Sequence, residues 1–224
     1  MKFKCEYLKS DKLTKTGTLY KILKSREIII DEEKTKDRVI VKYIVQDDQY
    51  GICCSEYKPP FIDDEGAKKV DILILAIDEK NKKFSSWILD IKQSVGGENV
   101  IFHLLEQLQD SLKHKNALAV YMDDFREEQH LGFITHNLQI ERIKESVKKR
   151  EKELNDIEKS SIQVSPIIGN KSKISSINLK KEIETLSMFL DKKMKIKDQI
   201  YPIESYISEK QGEYFVYNLQ VQCG

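Results

Sequence analysis

Two aspartates and a lysine in this sequence are spaced so that they could do chemistry together. Asp71 lies at the head of one apolar run, Val70–Ile77. Asp90 lies near the end of a second, Phe84–Ile91, with Lys92 just beyond it. Both runs are rich in Ile, Leu and Val and have strand length. Between them, Asp78-Glu79-Lys80-Asn81-Lys82 supplies turn residues. The stretch reads as a β-hairpin. A two-residue turn at Lys80-Asn81 would set Asp71 opposite Asp90 and Leu73 opposite Ile88. On the other face Val70 would meet Ile91, Ile72 would meet Leu89 and Ile74 would meet Trp87. Both faces are apolar, so the hairpin should be central and covered on both sides. Asp90 and Lys92 point to the same side, and Ile91 points into the opposite layer. Like charges directly opposite one another destabilise a sheet by roughly 0.2–1 kcal/mol, so something should compensate. A divalent cation is the natural candidate. Mg²⁺ takes oxygen ligands and is commonly held by one or two carboxylates together with water and substrate phosphate. Lys92 would then hold or polarise an attacking water, or neutralise charge developing on a phosphorane.

The pattern Val70-Asp71 … Asp90-Ile91-Lys92 resembles the PD-(D/E)xK nuclease superfamily, the restriction-endonuclease-like fold, in the form with Val before the first aspartate. The resemblance covers about residues 39–136. It implies that Asp71 and Asp90 bind Mg²⁺ (Mn²⁺ being an alternative), that the Ile91 carbonyl completes the site, and that Lys92 acts on the water. It also implies a helix after the lysine that returns a polar residue, commonly Gln, to the site. Gln107 in NVIFHLLEQLQDSLKHK fits that place. Many members carry an extra upstream glutamate on a helix. Glu56 is the nearest candidate, although it precedes Pro59 and Pro60 and no helix is visible there. The competing reading is an ordinary hairpin whose Asp90 and Lys92 form a solvated ion pair at a sheet end.

Composition narrows the setting. The 224 residues suffice for one good-sized domain or a domain with an appendage. Basic residues number 38 and acidic ones 37, for a net charge of +1, whereas a free-standing nonspecific DNA binder is usually more basic. A local patch or a partner subunit would therefore have to supply the grip. The four cysteines, Cys5, Cys53, Cys54 and Cys223, have no zinc spacing, and Cys53-Cys54 read as reduced core residues. The start, MKFKCEYLKSDK, lacks the apolar segment of a signal peptide. No apolar run approaches the ~20 residues of a membrane helix. A cytoplasmic protein is expected.

The elements that must position the site follow in order. Residues 1–50 read as a β-rich region with strands at Phe3–Leu8, Glu27–Ile30 and Arg38–Gln46, and with Thr18–Lys24 as strand or helix. Tyr50–Lys69 reads mostly as loop, with Asp63, Asp64 and Glu65 as a solvated acidic cluster. After the hairpin, Gln93 to Asn99 breaks the strand, and Asn99 is a fair N-cap. A helix over Val100–Lys115 would bury Ile101, Leu104, Leu105, Leu108 and Leu112, with His103 and Gln107 on a neighbouring stripe. Ala117–Met122 and Leu131–Thr135 read as strands joined by an acidic loop. The crossover through the helix would bring Ala117–Met122 beside the Asp90 strand. From Gln139 the composition shifts to a charged amphipathic helix with Ile140, Ile143, Val147 and Leu154. Ser160–Ser176 reads as a linker. A second helix carries Ile177, Leu179, Ile183, Leu186 and Leu190, and a strand over Glu213–Gln222 closes the chain and could join the N-terminal sheet.

The expected fold is α/β (α+β): a mixed central sheet flanked by helices, a restriction-endonuclease-like core. The expected organisation is a β-rich region over 1–50, the nuclease-like core over 51–138, and a helical hairpin with its closing strand over 139–224. The resemblance makes the chain a metal-dependent DNA endonuclease working with a second protein subunit, a motor or sensor, or with copies of itself. Bacterial restriction or anti-phage defence is the setting in which compact nucleases of this kind are frequent. The alternative is a non-catalytic subunit that keeps the fold as a scaffold.

Overall fold

The computed structural model describes residues 21–23, 27–32, 37–43, 49–53, 70–78, 80–161 and 166–221. In chain order the strands are β1 (Lys21–Leu23), β2 (Glu27–Glu32), β3 (Asp37–Tyr43), β4 (Gln49–Cys53), β5 (Ile72–Asp78), β6 (Lys83–Ile91) and β7 (Ser94–Val95). Helix α1 (Glu98–Ala119) follows and ends in a single 3-10 turn, Val120–Met122. Next come β8 (Arg126–Thr135), β9 (Asn137–Leu138), α2 (Ile140–Ser161) and α3 (Pro166–Leu190). The last strands are β10 (Lys193–Ile196), β11 (Gln199–Pro202), β12 (Glu204–Ile207), β13 (Glu209–Gln211) and β14 (Tyr214–Val221). The architecture is mixed α and β. The chain divides into two compact units, one of residues 1–93, 104–136 and 204–224, the other of residues 94–103 and 137–203.

The first unit is built on a six-stranded sheet in the order β1-β4-β5-β6-β8-β12. The pairs from β1 to β6 are antiparallel, and β6/β8 and β8/β12 are parallel. The hairpin β5/β6 is therefore central. Its register places Ile72 opposite Leu89, Leu73 opposite Ile88 and Ile74 opposite Trp87, the pairing that a turn centred on Lys80-Asn81 predicts. The ladder closes at Asp78 and Lys83, one pair short of the anticipated two-residue turn. There Asp78 accepts hydrogen bonds from the backbone and side-chain nitrogens of Asn81 (2.9 and 2.8 Å), and Lys82 takes φ 53°. An aspartate that satisfies the turn in this way fixes a wider tip without moving the register.

One face of the hairpin, formed by Ile72, Ile74, Ala76, Trp87, Leu89 and Ile91, shares a core with Val39 of β3 and with Leu219 and Val221 of β14. Those strands belong to a four-stranded sheet ordered β13-β14-β3-β2, in which β14 runs parallel to β3. The last strand of the sequence thus joins the N-terminal one, as expected. The other face meets α1, whose Leu104, Leu108 and Leu112 are buried. Every residue of β5 is buried, which is why both of its faces read as apolar.

Several expectations are corrected. Ala117–Met122 is not a strand. Ala117, Leu118 and Ala119 continue α1, and Val120–Met122 is its 3-10 end. Ala and Leu favour a helix, and a six-residue apolar run has no period that separates strand from helix. The strand beside β6 is instead β8, which begins at Arg126 and includes part of the supposed acidic loop. The crossover through α1 survives with a different partner. Tyr50–Lys69 is not all loop, because Gln49–Cys53 pairs with β5. Helix α1 starts at Glu98, so Asn99 lies inside it. The carbonyl of Gly97 accepts the first bonds, from the backbone N–H groups of Val100 and Ile101 (both 3.1 Å). Leu105 is only half-buried. Thr18–Lys24 contains strand β1; Phe3–Leu8 lies outside the described residues.

In the second unit α2 and α3 pack antiparallel, tied by Lys180 to Glu158 (3.0 Å) and by Arg150 to Glu182 (3.3 Å). Arg150 also donates to Glu98 (2.6 Å) and Glu153 (3.0 Å). Most of the supposed Ser160–Ser176 linker is helix, because α3 begins at Pro166. Proline is well suited to the first helical position, where its missing N–H leaves no bond unmade.

Strand β12 approaches β8 closely at Gly132. A Cβ there would stand 2.0 Å from the Glu204 carbonyl oxygen, a backbone atom that cannot move aside alone. The Trp87 and His130 rings stack at 3.8 Å, and His130 Nδ1 lies 3.1 Å from Glu204 Oε1. This fastens the same junction from the side. Gly132→Ala is expected to destabilise the protein by about 1–3 kcal/mol or more, read as a lowered midpoint in urea. An unchanged midpoint would mean that β12 does not sit against β8 in this way.

Candidate functional site: a buried carboxyl pair at the end of the central hairpin

Asp90 is the penultimate residue of β6, on the face toward α1, and has no exposed surface. It stands there because β6 alternates: Ile88 and Asp90 face one way, Leu89 and Ile91 the other. Gln107 of α1, also buried, donates from Nε2 to Asp90 Oδ1 at 3.3 Å. The Lys92 ammonium lies in ion-pair contact with Asp90 Oδ2. Asp71 precedes the first ladder pair of β5. Its Oδ2 accepts the backbone N–H of Ile91 at 2.7 Å, which turns its carboxylate toward Asp90.

Burial and the facing Asp71 carboxylate push the Asp90 carboxyl up from its ordinary 3.8 to about 8, and Lys92 offsets only part of this. Desolvation is the larger cause. The side chain of Lys92 is 19% exposed and Asp71 is half-buried, so the pair opens to the surface on their side and is closed on the side of α1.

The chemistry of this donor set fits a hard divalent cation. Two carboxyl groups face each other, and burial with the Asp71 charge holds Asp90 back from ionising. A cation between them would remove the reason for that. Asp71, Asp90 and the Ile91 carbonyl would hold it. Among the described residues no cluster of three or more His, Cys, Asp or Glu side chains adds to them. The other positions would fall to water or substrate oxygen, which is how Mg²⁺ is usually bound.

Asp71, Asp90, Lys92 and Gln107 are therefore brought to one place. His103, one turn before Gln107, is exposed. Glu56 and the acidic cluster Asp63, Asp64 and Glu65 lie outside the described residues. Two neighbours were missed by sequence reasoning. Ser111 Oγ accepts the backbone N–H of Val70 at 3.0 Å, immediately before Asp71. Lys115, 2% exposed, donates to both oxygens of Glu127 (2.7 and 2.9 Å), and Ser86 donates to Glu127 Oε1 at 2.7 Å. Gln107, Ser111 and Lys115 follow one another at four-residue intervals, a single stripe of α1. That spacing from Gln107 was the available signal.

The direction of the Asp90 shift sets a pH dependence. A carboxyl whose pKa is higher folded than unfolded stabilises the fold most below its ordinary value, and that stability is lost as pH rises through the folded value. Without divalent metal, wild type should lose stability between about pH 4 and pH 8. The isosteric Asp90→Asn cannot ionise. Its melting temperature should match wild type at or below about pH 4 and exceed it progressively up to about pH 8. Parallel profiles for the two proteins would show that Asp90 ionises freely.

Comparison of the chain with family models, with curated proteins and with solved structures finds no match.

Proposed function

We propose that this protein is a Mg²⁺-dependent phosphodiesterase that cleaves DNA. The observation that carries the reading is the convergence of Asp71, Asp90 and Lys92 at the end of the central hairpin, with Gln107 behind them. The order of strands supports it. An antiparallel hairpin whose second strand runs through α1 into a parallel neighbour is the mixed core that the resemblance to the PD-(D/E)xK superfamily implies.

A bound Mg²⁺ would supply Lewis acidity toward a phosphate oxygen and toward water. The chain's own groups would do the remainder. Asp71 presents a half-buried carboxylate, and Asp90 a buried one behind it. The Ile91 N–H holds the Asp71 carboxylate, and the Gln107 amide holds that of Asp90, so both are oriented before substrate arrives. Lys92 brings a positive charge, anchored on Asp90, to the exposed rim. From there it can orient a water in line with the scissile bond and offset charge on the phosphoryl oxygens as the new P–O bond forms and the bond to the leaving oxygen breaks.

With a net charge of +1 the protein has little general attraction for DNA. A second subunit or a second copy that delivers the substrate follows from that, in the manner of a nuclease component of a bacterial restriction or anti-phage complex.

Two measurements test this reading. Asp90→Ala and Lys92→Ala should each lower Mg²⁺- or Mn²⁺-dependent cleavage of plasmid or single-stranded DNA by at least about a hundredfold, with the fold retained by circular dichroism. Divalent metal should also raise the melting temperature of wild type but not that of Asp90→Ala. Normal cutting by either variant would sink the assignment of the site. A wild type indifferent to Mg²⁺ and Mn²⁺ in both assays would favour a non-catalytic scaffold.

A further inference from the structure

We infer that Ser111 is the positioning residue for Asp71, setting the affinity of the carboxyl pair for a divalent cation through one hydrogen bond to the backbone. The inference rests on the metal-dependent reading of the site and goes beyond it, because Ser111 touches neither carboxylate.

Asp71 is held less firmly by the sheet than Asp90 is. Asp90 lies within β6, paired with Phe133 of β8. Asp71 lies ahead of the first β5/β6 ladder pair, Ile72–Leu89, so the sheet fixes it only from its C-terminal side. On its N-terminal side the Val70 N–H is bound by Ser111 Oγ at 3.0 Å, and both Val70 and Ser111 are buried. The Asp71 side chain is tied to the Ile91 N–H at 2.7 Å. That bond can form only if the backbone on both sides of Asp71 is in place.

Ser111 stands one helical turn after Gln107, so a single face of α1 grips both carboxylates by different means. Gln107 bonds the Asp90 side chain directly. Ser111 bonds the main chain next to Asp71. One further turn along, Lys115 pins the same helix to Glu127 of β8. The helix thus sets the spacing of two groups on two strands, and metal affinity depends on that spacing. Losing a partner behind a metal ligand typically costs about 10–100-fold in affinity.

The test is a Mn²⁺ titration of the full chain by calorimetry, combined with the metal dependence of DNA cleavage. Ser111→Ala removes the acceptor and should weaken Mn²⁺ binding by roughly tenfold or more. Cleavage should shift to higher metal concentration and recover toward the wild-type rate at saturation. Ser111→Thr, which keeps the hydroxyl, should restore affinity. Ser111→Cys, which keeps the shape but offers a poor acceptor, should melt near wild type yet bind Mn²⁺ more weakly. It keeps the test decisive if Ser111→Ala does not fold. Thr185→Ala is the control. It removes an exposed hydrogen bond within α3, from Thr185 Oγ1 to the Lys181 carbonyl, and should leave Mn²⁺ affinity unchanged. Wild-type affinity in folded Ser111→Ala or Ser111→Cys would overturn the inference while leaving the metal site intact. No Mn²⁺ binding by wild type would overturn the site itself, and this inference with it.

Discussion

An ionisable carboxyl with no solvent contact is the constraint around which the first unit is arranged. Leaving such a group charged in an apolar interior costs far more than the net stability of a typical domain can absorb, so the protein must pair it, bond it or keep it neutral. At Asp90 all three responses are visible. Lys92 pairs it, Gln107 bonds it, and burial holds its proton to about pH 8. Each response requires an element in a particular place. Lys92 needs β6 to carry on in register, Gln107 needs α1 laid across that face of the sheet, and the burial needs the apolar residues of both.

Much of the central hairpin was legible in the sequence because a slip of one residue would be costly there. Moving β6 by one position would carry Asp90 and Lys92 into the layer that holds Val39, Leu219 and Val221, and the apolar residues out of it. The pairing taken from a turn centred on Lys80-Asn81 therefore holds, even though the tip is wider than two residues. Gln107 was found from the family resemblance, not from its own surroundings.

The rest of the helix was not legible, for a physical reason. Lys113-His114-Lys115-Asn116 is a wholly polar run, yet His114 and Lys115 are buried. The carboxylate that makes this tolerable for Lys115, Glu127, comes from a strand twelve residues on. A side chain's partner across a fold leaves no trace in local spacing. Ser111 was hidden in the same way. A serine within a helical run is unremarkable until the backbone N–H that it receives is known. Pro166 misled in the other direction, since proline marks a helix start as readily as a loop.

The pairing of β14 with β3 has a kinetic side. These strands lie side by side over seven residue pairs, Phe215–Asp37 to Val221–Tyr43, although some 180 residues of chain separate them. Contacts of such long range are slow to form, because the entropy of closing the loop is lost before any contact repays it. As the chain leaves the ribosome, β3 must wait, with one edge bare, for nearly the whole of the sequence to follow. The layer that covers the back of the hairpin is thus the last to be laid down. Until then Leu219 and Val221 are missing from the core that Val39 shares with Ile72, Ile74 and Leu89, so part of that apolar face stays uncovered.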